Sequence, residues 1–256
     1  MLAWCGLLAG PARVDWAPQD LLLHSRTRRG FGLAPVGKLS ATPIAPVALP
    51  GGPRTALQPG AADDLKMAFS GVLARRQSLR EHGAAGLPLQ ALGQFLWHTL
   101  AAQTVEGRLR RPYPSGGGCY ALQAFLVVDR CAGLDAGLYA YDALSHQLIL
   151  VRSHSTAQSA LMRDAAHSVQ SPTDAQVLLV LCADYARMRS AYGDLGYSLL
   201  LKEAGAVMQT AQLVATALGL ACCPLGTGDA LHFAAAAGAD LWTLPAVGEL
   251  LLGTST

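Results

Sequence analysis

Three arginines and a serine lie close together in the segment ARRQSLR. Arg75, Arg76 and Arg80 surround Ser78 there. Arginine offers a planar fork of charge-assisted donors, so guanidinium groups beside a hydroxyl suit a phosphate monoester. The alternative is a solvated helix end, because cations near a helix C-terminus interact favourably with the helix dipole. The segment alone does not choose between the two interpretations.

A glycine-rich segment follows in RRPYPSGGGCYALQAFLVV, where Ser115 precedes Gly116, Gly117 and Gly118. Three adjacent glycines cost considerable backbone entropy, so something must require a backbone without side chains. Such a backbone lets its N–H groups approach a flat, polar-edged ligand closely. The competing interpretation is a simple turn before a strand.

A third small-residue segment, GLACCPLGTGD, is predicted to be a loop that contains Gly226 and Gly228. An arginine cluster, a glycine-rich segment and a small-residue loop around one apolar core together indicate a cofactor. That cofactor would carry both a phosphate and a planar ring.

Helices and strands must position these segments. Helical periodicity predicts three main helices, at 61–76, 87–103 and 194–220. Apolar runs bounded by turn residues predict two interior strands and one hairpin, at 122–129, 175–184 and 137–152. Because there is no regular alternation of strand and helix, the pattern favours an α+β fold with a mostly antiparallel sheet.

The predicted helix at 194–220 is the longest, with Asp194 as its cap and Gly219 as its end. It is apolar nearly all the way round, which is typical of a central helix or one buried in a dimer interface. Regular structure is predicted only from residue 61, so residues 1–60 form a loop-rich, proline-rich arm and residues 61–256 form the main domain.

Composition excludes several classes of function. Hydrophobic residues make up 52% of the chain and charged residues only 14%, which favours a stable homo-oligomer. A net charge of +2 with no basic run argues against nucleic-acid binding. The apolar opening MLAWCGLLAGP is too short to span a bilayer, so we expect a cytoplasmic protein without membrane contact.

The six cysteines show no CxxC pair and no metal-ligand spacing, so no metal is expected. Cys182 lies in an apolar run and is interpreted as a small buried hydrophobe. The adjacent pair Cys222 and Cys223 is also expected to be structural, with reduced thiols.

Four segments resemble the flavin-dependent nitroreductase superfamily, in particular its SagB-type branch of azoline dehydrogenases. RRQSLR is similar to the family's R-x-S-x-R, and RPYPSGGG followed by GLYAYD matches its glycine segment and hairpin. LLLKEAGAVMQTAQ is similar to the family's L-L-E-A-G-x-x-x-Q-N helix, and LLLHSRTRRG resembles the preceding arm. The likeness spans roughly residues 20 to 250.

This resemblance implies FMN bound at the subunit interface of a homodimer. Arg76, Ser78 and Arg80 would hold its phosphate and ribityl end. The residues along the isoalloxazine ring would be Pro114, Ser115, Gly116 and Gly117. Gly226 and Gly228 would close the loop near the cofactor, and Gln209 matches a polar neighbour of the flavin.

The resemblance further implies oxidation of a thiazoline or oxazoline ring on a peptide or carrier-bound intermediate, with a cyclodehydratase as a possible partner. The family's Lys-Tyr pair falls on Ala191 and Tyr192, so the lysine is absent and Tyr192 remains as the catalytic base. A phenol is a weak base at neutral pH unless a cation lowers its pKa. Arg187, Arg189 or Lys202 could supply that cation, although Lys202 also fits an exposed helix position.

Two other functions stay open. One is an NAD(P)H-dependent reductase of small nitro or quinone-like acceptors. The other is a degenerate, non-catalytic scaffold subunit of a biosynthetic complex.

Overall fold

The computed structural model describes residues 17–27, 48–61, 63–171, 173–238, 240 and 242–256. The apolar opening and most of the proline-rich stretch of the predicted arm lie outside these ranges. Within them there are seven helices: α1 Pro18–Thr27, α2 Phe69–Arg75, α3 Leu89–Leu100, α4 Thr156–Ser168, α5 Tyr185–Tyr192, α6 Gly196–Leu218 and α7 Ala230–Ala237.

The strands of the described chain form one large sheet and two short ladders. They are β1 Arg54–Ala56, β2 Leu87–Pro88, β3 Gln103–Val105, β4 Arg108–Arg110, β5 Leu122–Val128, β6 Cys131–Ala132, β7 Gly137–Asp142, β8 Gln147–Ser153, β9 Val177–Ala183, β10 Leu220–Pro224 and β11 Ala246–Thr254. The large sheet has the order β1-β8-β7-β5-β9-β11-β10, and every neighbouring pair is antiparallel. The predicted α+β fold with an antiparallel central sheet is confirmed.

Helices cover both faces of the sheet, which explains why its central strands are apolar without alternation. On one face, side chains such as Leu126 and Leu179 pack with α3 and α6. On the other face, Val127 and Val180 pack with α4 and α7. Cys182 is fully buried on this second face, as the sequence predicted. The molecule therefore has two cores, separated by the sheet.

The predicted helix at 61–76 is shorter in the structure, where α2 begins only at Phe69. Asp64 explains the difference, because its carboxylate accepts a hydrogen bond from the backbone N–H of Ala61 at 2.7 Å. It also accepts from Gln94 at 2.9 Å and lies 3.2 Å from the His98 ring. These contacts fix a turn against α3 instead of a first helical turn.

The long helix α6 ends as predicted, with Gly219 in the left-handed region at φ 70°. Its start was predicted wrongly. Asp194 gives no side-chain cap and lies in a single 3₁₀ turn, Gly193–Leu195. Its carboxylate instead lies 3.6 Å from the guanidinium of Arg26 on α1.

Several further elements were not predicted, among them four at the two edges of the chain's sheet and in its N-terminal region. The region 1–60 contains α1 and the edge strand β1, so its described part is not only loop. The segment predicted as a loop after α6 begins with β10, and β11 pairs with it.

Among the described residues no helix is long and apolar enough to cross a membrane.

Candidate active site

The glycine segment forms a single 3₁₀ turn, Gly116–Gly118, between β4 and β5. Gly117 and Gly118 have φ values of 58° and 69°, in the left-handed region that favours glycine. The N–H of Gly118 donates to the carbonyl of Ser115 at 3.2 Å, and that of Cys119 donates to Gly116 at 3.1 Å. Backbone geometry therefore accounts for two of the three glycines.

Tyr192, the last residue of α5, lies directly against this turn. A Cβ on Gly117 would collide with the Tyr192 hydroxyl. A Cβ on Gly116 would lie 3.8 Å from the Tyr192 ring and 3.5 Å from Leu199 of α6. The structure thus brings together the predicted base and the predicted cofactor-binding turn.

Ser115 fixes the turn to α6 through a buried carboxylate. Its hydroxyl donates to Oε2 of Glu203 at 2.6 Å and accepts from the backbone N–H of Tyr120 at 2.8 Å. Glu203 is 2% exposed, and its Oε1 has no hydrogen-bond partner among the described residues. A buried carboxylate oxygen without a donor is costly, so it marks a place where a ligand or substrate group can donate.

Burial raises the pKa of Glu203, while the Ser115 hydroxyl, the Arg111 charge, the backbone N–H of Ala121 and the Arg187 charge act in the opposite direction. Arg111 donates to the Tyr113 hydroxyl at 3.0 Å and to the carbonyl of Leu122 at 3.3 Å. Both arginines line a cavity of about 150 Å³ at the start of β5. The positive charge beside Glu203 therefore borders a small open space.

Sequence reasoning missed Glu203 as a site residue, although its motif was recognised. One signal was available, because Glu203 stands beside Lys202 in a helix that has no other charged residue. An acid in such a place is either exposed or paired. The sequence alone does not tell which face of the helix is covered.

The arginine–serine segment runs along α6 and the edge strand β10. Ser78 accepts a hydrogen bond from the side-chain amide of Gln212 at 3.1 Å, and the N–H of Leu79 donates to the carbonyl of Cys222 at 3.0 Å. Burial raises the pKa of the Cys223 thiol, and the adjacent Arg80 guanidinium partly offsets that rise. The thiol is therefore protonated at neutral pH.

This segment has the features of a phosphate site. A cavity of about 690 Å³ is lined by eight residues, namely Gln77, Ser78, Leu79, Arg80, Glu81, Gln170, Ser255 and Thr256. Within the described chain Arg75, Arg76 and Arg80 form no ion pair with a carboxylate. Their charge is available to an anion, so the donors fit a phosphate group.

The helix α6 contacts both the glycine turn and the arginine–serine segment. Glu203 contacts the glycine turn and Gln212 contacts Ser78, and the two lie nine positions apart on α6. At a rise of 1.5 Å per residue, this corresponds to roughly 13.5 Å along the helix axis. The sequence predicted both the glycine turn and the arginine–serine segment, and α6 sets the distance between them.

Lys202 and Gln209 do not join this arrangement in the described chain. Both are exposed on α6, and no hydrogen bond or ion pair connects Lys202 to Tyr192. Arg187 acts on Glu203, and Arg189 donates to the hydroxyl of Tyr185 at 3.4 Å. None of the predicted cations therefore activates Tyr192 within this chain.

The loop with Gly226 and Gly228 lies toward the other face of the sheet. Leu225 packs in the core formed with α4 and α7. A Cβ on Gly228 would collide with the carboxylate of Glu249, whereas Gly226 has open space around it. In this chain Gly228 makes room for an acid, and its predicted role beside a cofactor stays a prediction.

The phenol of Tyr192 is not an activated base in this chain. Burial raises its pKa above the ordinary value of 10.0, and the nearby Cys119 acts in the same direction. The sequence predicted that a cation lowers the pKa of Tyr192, but no cation does so among the contacts that Tyr192 makes within the described chain. At neutral pH the Tyr192 phenol is therefore protonated.

These features define the class of protein to which the chain belongs. A fully antiparallel sheet between two helical layers, with a glycine turn and an arginine–serine segment along one central helix, is a nitroreductase-like α+β fold. The model of the Nitroreductase family matches residues 73–254, well over half of the 256 residues. The chain belongs to the nitroreductase family.

Two curated proteins are similar in sequence. MJ1384 of Methanocaldococcus jannaschii, a nitroreductase by name, is 29% identical over 155 residues, which cover 60% of this chain and 76% of that protein. The microcin B17-processing protein McbC of Escherichia coli is 33% identical over 118 residues. That match covers 44% of this chain and less than half of McbC, 43%.

Two solved structures share the fold. Reut_A1228 of Ralstonia eutropha JMP134, a nitroreductase by name, has a TM-score of 0.65 at 22% identity and covers 84% of this chain and 98% of its own. A chain of the E. coli microcin synthetase McbBCD complex with truncated pro-MccB17 bound has a TM-score of 0.61 at 21% identity. It covers 93% of this chain and 91% of its own.

Proposed function

We propose that this chain is an FMN-dependent dehydrogenase that oxidises a thiazoline ring to a thiazole in a peptide or carrier-bound intermediate. The observation that carries the proposal is the contact between Tyr192 and the Gly116–Gly118 turn, which Ser115 and Glu203 hold in place. The similarity to McbC, a microcin B17-processing protein, supports the azoline class of substrate.

Members of the nitroreductase family bind flavin, and the residues of this chain fit FMN. Arg76, Ser78 and Arg80 would hold the phosphate, since two guanidiniums without an ion pair to a carboxylate, together with a hydroxyl, supply donors for it. The backbone from Pro114 to Gly117 would lie along the ring. Bound FMN supplies an acceptor for a hydride equivalent.

Oxidation of a thiazoline also removes a proton from the adjacent ring carbon. We assign that proton to the phenol oxygen of Tyr192, which lies at Gly117. Glu203 and Ser115 position the turn, because their 2.6 Å hydrogen bond fixes the backbone of the turn to α6. Since burial raises the pKa of Tyr192, the reaction would be slow at neutral pH.

The partners proposed are a second copy of this chain, a heterocycle-bearing peptide and a cyclodehydratase. The structure of the McbBCD complex holds a truncated pro-MccB17 peptide, which supports a peptide substrate for a related chain. Exposed apolar residues on α2 and α6 support the second copy.

A direct experiment is to incubate FMN-loaded protein with a thiazoline-containing peptide and to follow its mass. We expect loss of two hydrogens per ring, and little loss with Tyr192→Phe at equal flavin content. Ala191→Lys restores the family's lysine and should raise the rate or extend it to oxazolines. A fully flavin-loaded protein that leaves the thiazoline unchanged would overturn the proposal.

One observation favours a second candidate. The match to MJ1384, a nitroreductase by name, covers more of both chains than the match to McbC does. The second candidate is therefore an NAD(P)H-dependent reductase of nitro or quinone-like acceptors. Steady NADPH consumption with a nitroaromatic, together with an inert thiazoline peptide, would favour it.

A further inference from the structure

The hairpin of β3 and β4 lies a few residues before the glycine turn and is exposed along its whole length. Residues 103–110 are all exposed, and in the described chain the two strands pair only with each other. Each strand therefore leaves its outer edge without hydrogen-bond partners from another strand. A two-stranded hairpin is only marginally stable by itself, because it has no core. A surface that contributes so little to folding is a candidate for binding.

The two faces of this hairpin differ in chemistry. Successive side chains of a strand point to opposite faces, so Arg108 and Arg110 share one face and Leu109 lies on the other. The cross-strand partners of the two arginines are Val105 and Gln103, and neither partner is acidic. Within the described chain neither arginine forms an ion pair with a carboxylate. One face therefore presents two guanidiniums, roughly 7 Å apart along the strand, without a counter-charge.

The positive charge of the chain is concentrated in this hairpin. Residues 103–111 contain three arginines and one glutamate, a net charge of +2, which equals the formal net charge of the whole chain. The remaining residues are therefore neutral in sum. Because binding surfaces carry charges complementary to those of their partners, a partner that this hairpin recognises should be acidic. Arginine also pairs with carboxylates through two parallel hydrogen bonds, which favours a carboxylate as the acidic group.

The hairpin lies close to the candidate active site. Leu109 lines the cavity of about 150 Å³ together with Arg111 and Tyr120, so the apolar face of the hairpin borders the same space as the chain that follows the glycine turn. Arg110 and Ser115 are five positions apart, which a fully extended chain spans in roughly 18 Å at most. A peptide bound to the hairpin would therefore reach the glycine turn with about five extended residues.

We propose that the hairpin of β3 and β4 binds an acidic segment of the peptide substrate, within about five residues of the ring that is oxidised. Carboxylates of that segment contact Arg108 and Arg110, while apolar side chains alternate with them on the side of Leu109. The segment adds as a strand to an open edge of the hairpin, so main-chain hydrogen bonds supply affinity and the alternating side chains supply specificity. That this peptide is the substrate rests on the proposed function, whereas its binding to the hairpin does not.

The bland alternative is a hairpin that binds nothing. Charged side chains on an edge strand also prevent unwanted pairing between chains, and the arginines would then serve only that purpose. A second copy of this chain is the other occupant to test. Neither alternative requires an acidic peptide, so peptides of opposite charge separate both alternatives from the proposal.

The probe is a short fluorescein-labelled peptide in which glutamate alternates with valine, and its counterpart has lysine in place of glutamate. Fluorescence anisotropy measures the binding of each peptide to the full chain. We expect saturable binding of the glutamate peptide, at least about tenfold tighter than that of the lysine peptide and weaker at high salt. The double variant Arg108→Glu/Arg110→Glu should weaken binding of the glutamate peptide at least about tenfold, because like charges then face each other.

Lys66→Glu/Arg163→Glu is the matched control, since it changes the net charge equally at two exposed positions, before α2 and on α4, and should bind the glutamate peptide as the parent does. Circular dichroism checks that every variant is folded.

Three results would overturn the proposal. They are no saturable binding of the glutamate peptide, equal binding of the two peptides, and unchanged binding by Arg108→Glu/Arg110→Glu. If that variant instead lowers only the mass measured by light scattering, the hairpin is a contact between copies of the chain. None of these measurements needs flavin or turnover, so the proposal can fail while thiazoline oxidation succeeds, and the reverse.

Discussion

Tyr192 and Glu203 both contact the glycine turn, and burial raises the pKa of each above its ordinary value. The raised pKa has a different consequence for each of the two residues. A phenol whose pKa lies above 10.0 is protonated at neutral pH, whereas the pKa of a carboxyl group is raised from an ordinary value of 4.5. The pH dependence of the rate therefore identifies which of the two accepts the proton.

If Tyr192 is the base, the rate of thiazoline oxidation should rise about tenfold per pH unit from about pH 7 to 9, because the phenolate fraction rises in that proportion. The measurement is kcat/KM with FMN-loaded protein across this range. Tyr192→Phe should lower the rate by about 10² to 10⁴ and remove the slope. A profile already level over this range would assign the base to Glu203.

His82 makes a separate prediction about acid stability. Burial, and to a lesser extent Arg130, lowers its pKa from 6.5 to about 4. Because the folded-state pKa lies below the unfolded one, this histidine's contribution is present above pH 6.5 and is lost as the pH falls toward about 4.

Melting temperature should therefore drop between these pH values, and His82→Gln should show a smaller drop. His167→Gln, at an exposed position, is the control and should behave as the parent does. An equal drop in the parent and in His82→Gln would contradict this assignment.

At the level of single elements, substitutions of Gly117 and Gly118 measure the cost of backbone strain and the cost of steric collision separately. Both have positive φ, but only Gly117 faces a neighbour, the Tyr192 hydroxyl. Gly118→Ala should cost roughly 1–2 kcal/mol of unfolding free energy, the penalty of the left-handed region. Gly117→Ala should cost more, because its Cβ also meets the phenol.

Tyr192→Phe removes the hydroxyl, so in that background Gly117→Ala should cost about as much as Gly118→Ala does. Denaturant unfolding of the four variants measures this. If Gly117→Ala costs no more than Gly118→Ala with Tyr192 present, the ring does not lie on the turn.

The proposed phosphate site of FMN lies in the arginine–serine segment beside α6 and β10. Arg76→Ala removes a charge-assisted contact to a dianion, about 1.5–3 kcal/mol, so FMN retention should fall about tenfold or more. Arg163→Ala, which removes an exposed arginine on α4, should leave retention unchanged. Equal FMN content in the two variants after gel filtration would rule out the phosphate role of Arg76.

The sequence was sufficient for elements whose signal is local. Leu92, Phe95 and Leu96 repeat at helical spacing, and they are fully buried on α3. β10 was taken for a loop because Ala221, Cys222 and Cys223 are small, and only pairing with β11 makes them a strand.

Glu203 was missed for a related reason. Its importance depends on Ser115, which lies 88 positions away along the chain. Hydrogen-bond partners so distant in sequence leave no periodic pattern. Spacing also could not show that Lys202, the adjacent residue, is exposed.

At the scale of the molecule, α2 and α6 expose apolar side chains that a monomer has no reason to leave in water. Phe69 and Leu73 of α2 are 67% and 53% exposed, and Tyr197 and Leu201 of α6 are 42% and 38% exposed. Larger apolar patches of this kind mark interaction surfaces. The homodimer predicted from the sequence stays a prediction, and these residues are where it would form.

Light scattering should give twice the chain mass of 26.7 kDa at micromolar concentration. Leu73→Glu should shift the protein toward the monomer, because a buried unpaired charge is costly. Leu144→Glu, at a 70% exposed position in the turn between β7 and β8, should remain dimeric. A parent protein that scatters as a monomer would contradict the prediction.

The reaction proposed for this nitroreductase-family chain is the oxidation of a thiazoline with bound FMN. The most direct measurement is the visible absorbance spectrum of the FMN-loaded protein under anaerobic conditions, before and after a thiazoline peptide is added. The oxidised-flavin band should disappear and one thiazole should form per flavin, more slowly with Tyr192→Phe. A band that the peptide leaves unchanged, but that NADPH removes, would rule out the proposed reaction.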